Sequence, residues 1–107
     1  VKKALIALVV VVVLGTATAA SGARSLSPQA IAMWDRVARC ETGGNWRMHG
    51  SVYSGGVGFA NTTWTWWARE LGLLSRYPTA DRAPRLTQML VADYGLHRYG
   101  DGWGCPF

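Results

Sequence analysis

Carboxylates are scarce in this sequence, glutamate most of all. Of the 6 acidic residues only Glu41 and Glu70 are glutamates, and no Asp or Glu stands between them. Chemistry that needs two carboxylates from neighbouring segments therefore has little to draw on. Histidine is as sparse. His49 and His97 stand alone and far apart, so neither metal-ligand spacing nor a cofactor is expected. No serine elbow occurs, and no phosphate-cradling glycine loop precedes a helix. Lysine is confined to Lys2 and Lys3, and the arginines that follow are scattered along the chain. Without a dense basic patch, nucleic acid is not an expected partner.

What is present begins with a leader. Lys2 and Lys3 precede an unbroken apolar run, Ala4 to Leu14, and small residues follow to Ala23. This is the pattern of a secretory signal peptide over residues 1–23, with cleavage after Ala17-Thr18-Ala19 or Ser21-Gly22-Ala23. The alternative is an uncleaved anchor. The run alone is short for a bilayer, although the alanines bring it toward the lower limit. The expected product is secreted to the cell wall, with no stable membrane insertion after cleavage. Residues 24–33 read as a short linker and the start of the first helix, and 34–107 as one domain.

The part that follows the leader, roughly 85 residues, sits where a single core is marginal and a staple helps. Cys40 and Cys105 are the only cysteines, so one internal pairing is available. In an oxidising compartment a bridge closing so long a loop is worth about 4 kcal/mol. The alternative is a reactive thiol. The formal net charge is +5, and much of it remains without the two lysines. A mildly basic exported domain suits an anionic surface such as a bacterial wall.

Ser27 and Pro28 form a helix start, and Ile31, Trp34, Val37 and Ala38 recur at helical spacing. Gly43-Gly44 ends that helix. Residues 45–61 are turn-rich, with Val52-Tyr53 and Val57-Gly58-Phe59 as short extended pieces of a hairpin. A second helix starts near Thr62 or Thr63, presents Trp64, Trp67, Ala68 and Leu71 on one face, and ends at Gly72. A third runs from about Pro84 to Tyr94 and is stopped by Gly95. An irregular tail carries Cys105. Trp34, Trp64 and Trp67 fall on buried faces, whereas Trp46, Trp66 and Trp103 lie in or beside loops.

Glu41 continues the apolar stripe of the first helix into its last turn. Burial there and the partial negative charge of the helix end both favour a protonated carboxyl. A general acid requires that state, and glycoside cleavage uses one to protonate the leaving oxygen. The bland alternative is an exposed glutamate paired with Arg36 or Arg39. With no carboxylate close behind, a single-acid mechanism helped by the substrate's own acetamido group is preferred. Indoles stack on sugar rings as readily as they fill small cores. Tyr53 and Asn45 are candidate hydrogen-bonding groups for a saccharide, with turn structure as the alternative.

Cys40-Glu41-Thr42-Gly43-Gly44-Asn45-Trp46, then Tyr53-Ser54-Gly55-Gly56-Val57-Gly58-Phe59, then Thr63-Trp64, resembles the catalytic domain of actinobacterial resuscitation-promoting factors. Those are secreted transglycosylase-like enzymes of compact lysozyme-like fold. The resemblance runs from about Trp34 to Cys105. It implies an α+β, mainly α fold with a short β excursion and one disulfide, Cys40 to Cys105. It implies Glu41 as the single catalytic acid and Tyr53 and Thr63 as groove residues. Trp46 is a further candidate for binding glycan. Gln88 matches a family glutamine on the third helix, and Arg98 falls near a position where a glycan-contacting glutamine often lies. The family usually carries glutamine where Gly58 stands.

The function expected is a peptidoglycan glycosidase or lytic transglycosylase. It would cut the β-1,4 bond between N-acetylmuramic acid and N-acetylglucosamine. Its partners would be glycan strands and other cell-wall hydrolases, and it would work as a monomer. The competing readings are a wall-binding module of the same fold without turnover and a cationic membrane-active peptide.

Overall fold

The computed structural model describes residues 25–100 and 102–107; the expected signal peptide lies outside the described residues. Helix α1 spans Pro28–Thr42. Its start is the one expected: the Ser27 side chain accepts from the Ala30 N–H at 3.1 Å, and Pro28 opens the first turn. Leu26, Ala30, Ile31 and Met33 already pack against the core. Its end is equally local in origin. Gly43 takes a left-handed φ of 67°, its N–H donates to Arg39 O, and the Gly44 N–H donates to Ala38 O.

After α1 the chain turns through residues 45–52 into a two-stranded antiparallel hairpin. Strand β1 is Tyr53–Ser54 and β2 is Phe59–Ala60, with Tyr53 opposite Ala60 and Ser54 opposite Phe59. Gly55 to Gly58 make the connecting turn, closed by a Gly58 N–H to Gly55 O hydrogen bond of 3.1 Å. Helix α2 follows at once, Asn61–Glu70. It starts a residue or two before the expected threonines, because Asn61 is anchored by its side chain to Gly50 O and by its N–H to Val52 O. Trp66, expected in or beside a loop, lies on α2 with its ring 62% exposed. A short 3-10 turn, Ala80–Arg82, leads to α3, Arg85–Tyr99.

The expected stop at Gly95 is not there. α3 runs through it and ends at Gly100. Gly95 is buried, and the Trp67 ring lies directly on it: a Cβ at that position would be 2.1 Å from Trp67 Cζ3. The glycine therefore serves close packing of α2 on α3 rather than termination.

Each element contributes to one core. Trp34, Val37 and Ala38 come from α1, Val57 and Phe59 from the hairpin, Trp64 and Ala68 from α2, and Met89, Val91 and Ala92 from α3. The buried indoles keep their N–H groups bonded: Trp34 to Asp93 Oδ1 at 3.1 Å and Trp64 to Tyr77 O at 2.8 Å. The tail folds back over α1 as a strap. Cys105 is bridged to Cys40, and Trp103 packs edge-on against Trp34 with ring centroids 4.9 Å apart. The result is the mainly α, α+β, lysozyme-like arrangement that the resemblance implies, stapled by the expected disulfide.

Candidate active site

Glu41 emerges half-buried from the last turn of α1, one residue after the bridged Cys40. The bridge brings the strap over the helix end, and the Cys105 N–H donates to Glu41 Oε1 at 3.0 Å. One carboxyl oxygen is thus fixed by backbone. The other lies toward Gly58, whose Cα would carry a Cβ 3.9 Å from Oε2. Gly58 adopts φ 67°, a left-handed conformation that glycine accepts without strain, and a Cβ there would sit in van der Waals contact with Glu41 and Thr42.

The cleft holding Glu41 has a volume of about 320 Å³. Thr42, Met48, Tyr53, Gly58 and the strap residues Gly102 to Gly104 complete its lining. A second depression of about 290 Å³ shares Tyr53, Gly58, Gly102 and Trp103 with it and continues to Thr63 and Trp67. A third, about 420 Å³, shares Thr63 and Trp67 with the second and reaches Trp66, Glu70 and Tyr99. Shared walls make these one continuous groove, with the hairpin and α2 on one side and the strap on the other.

The sequence candidates divide on this geometry. Tyr53, 55% exposed, and Thr63 line the groove with Glu41. Trp46 instead packs against Gly56 and lines a separate cleft. Arg98 lines none of the three depressions, but its guanidinium lies 5.6 Å from the ring centroid of Tyr99, which lines the third. Asn45 caps its own turn, its Oδ1 accepting from the Arg47 N–H at 3.1 Å. Neither Arg36 nor Arg39 forms an ion pair with Glu41 among the described residues.

Of the other residues that shape the groove, the sequence marks only Gln88 for a role, through its match to a family glutamine. Thr42 bonds Ala38 O and, at 2.6 Å, Gly56 O, tying the helix end to the hairpin turn. A threonine closing a helix before Gly-Gly was the only available hint. Trp103 forms the strap wall and donates from Nε1 to Val57 O at 3.0 Å. Gln88 is fully buried. It accepts from the Gly56 N–H at 2.8 Å and donates to Trp46 O and Ala83 O, both at 2.9 Å. It thereby fixes the turn that faces Glu41.

The remaining described carboxylates are all engaged, and of them only Glu70 lines the groove, in its third depression. Asp35 holds Arg85, Asp93 takes the Trp34 indole N–H, and Glu70 accepts from the Tyr94 and Tyr99 hydroxyls. Those two phenols, with Arg98 nearby, hold the Glu70 carboxyl below the usual range. Glu70 in turn pushes both phenols up. At Asp81 desolvation opposes ionisation, but hydrogen bonds from Thr79 and His49 outweigh it and leave the carboxyl below its usual value. No group of three His, Cys, Asp or Glu that could hold a metal occurs among the described residues. Nor is any described helix long and apolar enough to cross a membrane.

The family model of the transglycosylase-like domain matches residues 29–105. Resuscitation-promoting factor Rpf1 of Corynebacterium glutamicum is 37% identical over 98 residues, 85% of this chain and 48% of that protein. Resuscitation-promoting factor RpfB of Mycolicibacterium smegmatis is 44% identical over 73 residues, 66% of this chain and 18% of that protein. RpfA of Mycobacterium tuberculosis is 41% identical over 70 residues, 64% of this chain and 16% of that one. The chain thus spans at most 48% of the length of these relatives.

Proposed function

Because the chain belongs to the transglycosylase-like domain family, alongside the resuscitation-promoting factors, we propose that it cleaves the glycan strands of peptidoglycan with Glu41 as its only catalytic carboxyl. The bond is the β-1,4 link between N-acetylmuramic acid and N-acetylglucosamine, and the enzyme works as a monomer exported to the wall. Tyr53 and Thr63 bind the strand along the groove. One observation carries this reading. Glu41 lines the cleft with Oε1 held by a backbone N–H and Oε2 on the side of Gly58, and no second described carboxylate lines that cleft.

The chemistry follows from that isolation. Protonated Glu41 donates to the glycosidic oxygen as the bond to the anomeric carbon breaks, and N-acetylglucosamine departs with a new hydroxyl. The muramoyl acetamido oxygen supports the positive charge developing at the anomeric carbon, a task that a second carboxylate performs in two-acid enzymes. Glu41, now a carboxylate, removes a proton from the group that attacks this carbon. Attack by the muramoyl 6-hydroxyl closes a 1,6-anhydro ring, whereas attack by water leaves a reducing end. The fixed Oε1 means that the carboxyl need not be ordered as the reaction proceeds.

The test is digestion of purified cell wall by the exported chain and by Glu41→Gln, with mass spectrometry of the soluble fragments. Fragments are expected from the wild type alone, and the anhydro and reducing ends differ by one water. Equal release by both proteins would overturn the proposal, and retention on wall without release by either would favour a binding module.

A further inference from the structure

The arginines are scattered in sequence, yet the fold gathers three of them around a cleft that shares no lining residue with the Glu41 cleft. Arg47 comes from the turn after α1, Arg82 from the 3-10 turn and Arg85 from the start of α3. Trp46 and Tyr77 supply ring surface between them, and Arg76 sits 5.5 Å from the Tyr77 ring centroid. The cleft measures about 630 Å³, more than a single small anion fills. Its one carboxylate, Asp81, is turned to His49 Nδ1 at 3.1 Å, with its side chain only 12% exposed. Arg47 and Arg82 have no acidic partner among the described residues. Arg85 meets Asp35 through Nη1 alone, which leaves Nη2 and Nε for another acceptor.

We propose that this cleft is a second, non-catalytic site that binds an acidic glycopolymer. Guanidinium groups form paired, charge-assisted hydrogen bonds to phosphate and carboxylate oxygens alike. Aromatic rings between them suit the sugar or polyol units that space such anions along a chain. Arg85 is paired with Asp35 and Asp81 with His49, so the two arginines without a described acidic partner, Arg47 and Arg82, set the sign of the ligand, and the room available sets its size at several units. The site would retain the protein on an anionic wall while its groove works on glycan. This role is compatible with the proposed cleavage but does not require it.

Binding is measured by calorimetry on the Glu41→Gln chain, so turnover cannot confuse it. The ligands are a short hexose-phosphate polymer, an oligogalacturonate of equal length and a neutral dextran oligomer. One or both acidic oligomers are expected to bind, and whichever binds identifies the anion as phosphodiester or carboxylate. Affinity should fall as salt shortens the screening length from about 10 Å at 0.1 M to 3 Å at 1 M. Arg47→Gln with Arg82→Gln should weaken binding by about tenfold or more, because two charge-assisted contacts are lost. Arg36→Gln with Arg39→Gln removes the same charge from α1 and should leave affinity within about twofold. Thermal unfolding of both double variants checks that each is folded. Equal weakening by the two double variants would reduce the effect to net charge and overturn the site. Dextran binding as tightly as the acidic oligomers, or no binding of either acid, would overturn it as well.

Discussion

Gly95→Ala is the substitution for which helix propensity and packing disagree in sign. In a solvated helix interior, alanine is better than glycine by about 1 kcal/mol. At Gly95 the new methyl would meet Trp67 Cζ3 at 2.1 Å, Cε3 at 2.2 Å and Cη2 at 2.5 Å. Carbon atoms rest at about 3.5–4.0 Å, so the ring must retreat by more than about 1 Å. Three aromatic neighbours resist that retreat. Tyr99 stacks on Trp67 at 5.8 Å, and Phe59 and Trp103 hold it at 6.0 and 5.8 Å. Overpacking of this kind costs about 1–3 kcal/mol, and a rigid ring met at three atoms belongs at the upper end. Subtracting the helix gain leaves a net loss of about 2 kcal/mol. In a domain of this size that lowers Tm by about 8–16 °C. The assay is thermal and urea unfolding followed by circular dichroism. Trp67→Leu in the Gly95→Ala background should recover part of the loss, with a coupling of at least about 1 kcal/mol. A Tm equal to or above the wild type for Gly95→Ala alone would refute the packing argument.

Replacing both cysteines, Cys40→Ser with Cys105→Ser, opens a loop of 65 residues' separation and should cost about 4 kcal/mol in urea unfolding. Because the Cys105 N–H orients Glu41, wall cleavage should fall further than the unfolded fraction explains; a loss that merely tracks unfolding would deny the strap its positioning role. Gln88→Leu strands the Gly56 N–H and the Trp46 and Ala83 carbonyls in the interior, at about 1–3 kcal/mol each. Unfolding within about 1 kcal/mol of the wild type would contradict that accounting. Glu70 has a depressed folded-state value, so its contribution is present above the ordinary glutamate pKa of about 4.3 and is lost as pH falls below it. Glu70→Gln should flatten the acid side of the Tm profile below that pH and shift the tyrosinate absorbance titration of Tyr94 and Tyr99 downward; unchanged curves would refute the coupling.

Local signals were legible in the sequence. Ser27, Pro28 and Gly43-Gly44 bound α1 because each acts on the backbone within a few residues of itself. The two cysteines admitted a single pairing, and the structure forms it. Gly95 misled because a helical glycine reads the same whether it stops the helix or receives a neighbour's ring, and the neighbour is 28 residues away on α2. Trp46 misled in the same way: its place in the Cys-Glu-x-Gly-Gly-Asn-Trp run says nothing about the side of the turn its ring takes, and Gly56 decides that. The strap wall was invisible for another reason. Trp103 and the Cys105 N–H reach Glu41 only through the bridge, and no periodicity or spacing encodes a tail folding across a helix end.

The groove's width next to Glu41 depends on a turn that its own strands cannot hold. Two-residue strands form too little ladder to be stable alone. Their turn is instead gripped at successive backbone groups by three distant segments. The Gly56 N–H is taken by Gln88 of α3, the Gly56 carbonyl by Thr42 of α1, and the Val57 carbonyl by Trp103 of the strap. Each grip is a side chain bonded to backbone, so it fixes position without a side chain at Gly58. Gly58 then stays beside Glu41 in the cleft because its neighbours are clamped. If Glu41 is the acid proposed above, a geometry built this way is ordered before substrate arrives, which is where positional precision contributes most to rate. It also spreads the control of one carboxyl over α1, α3 and the tail. Loosening any of the three grips should therefore widen the groove before it unfolds the domain.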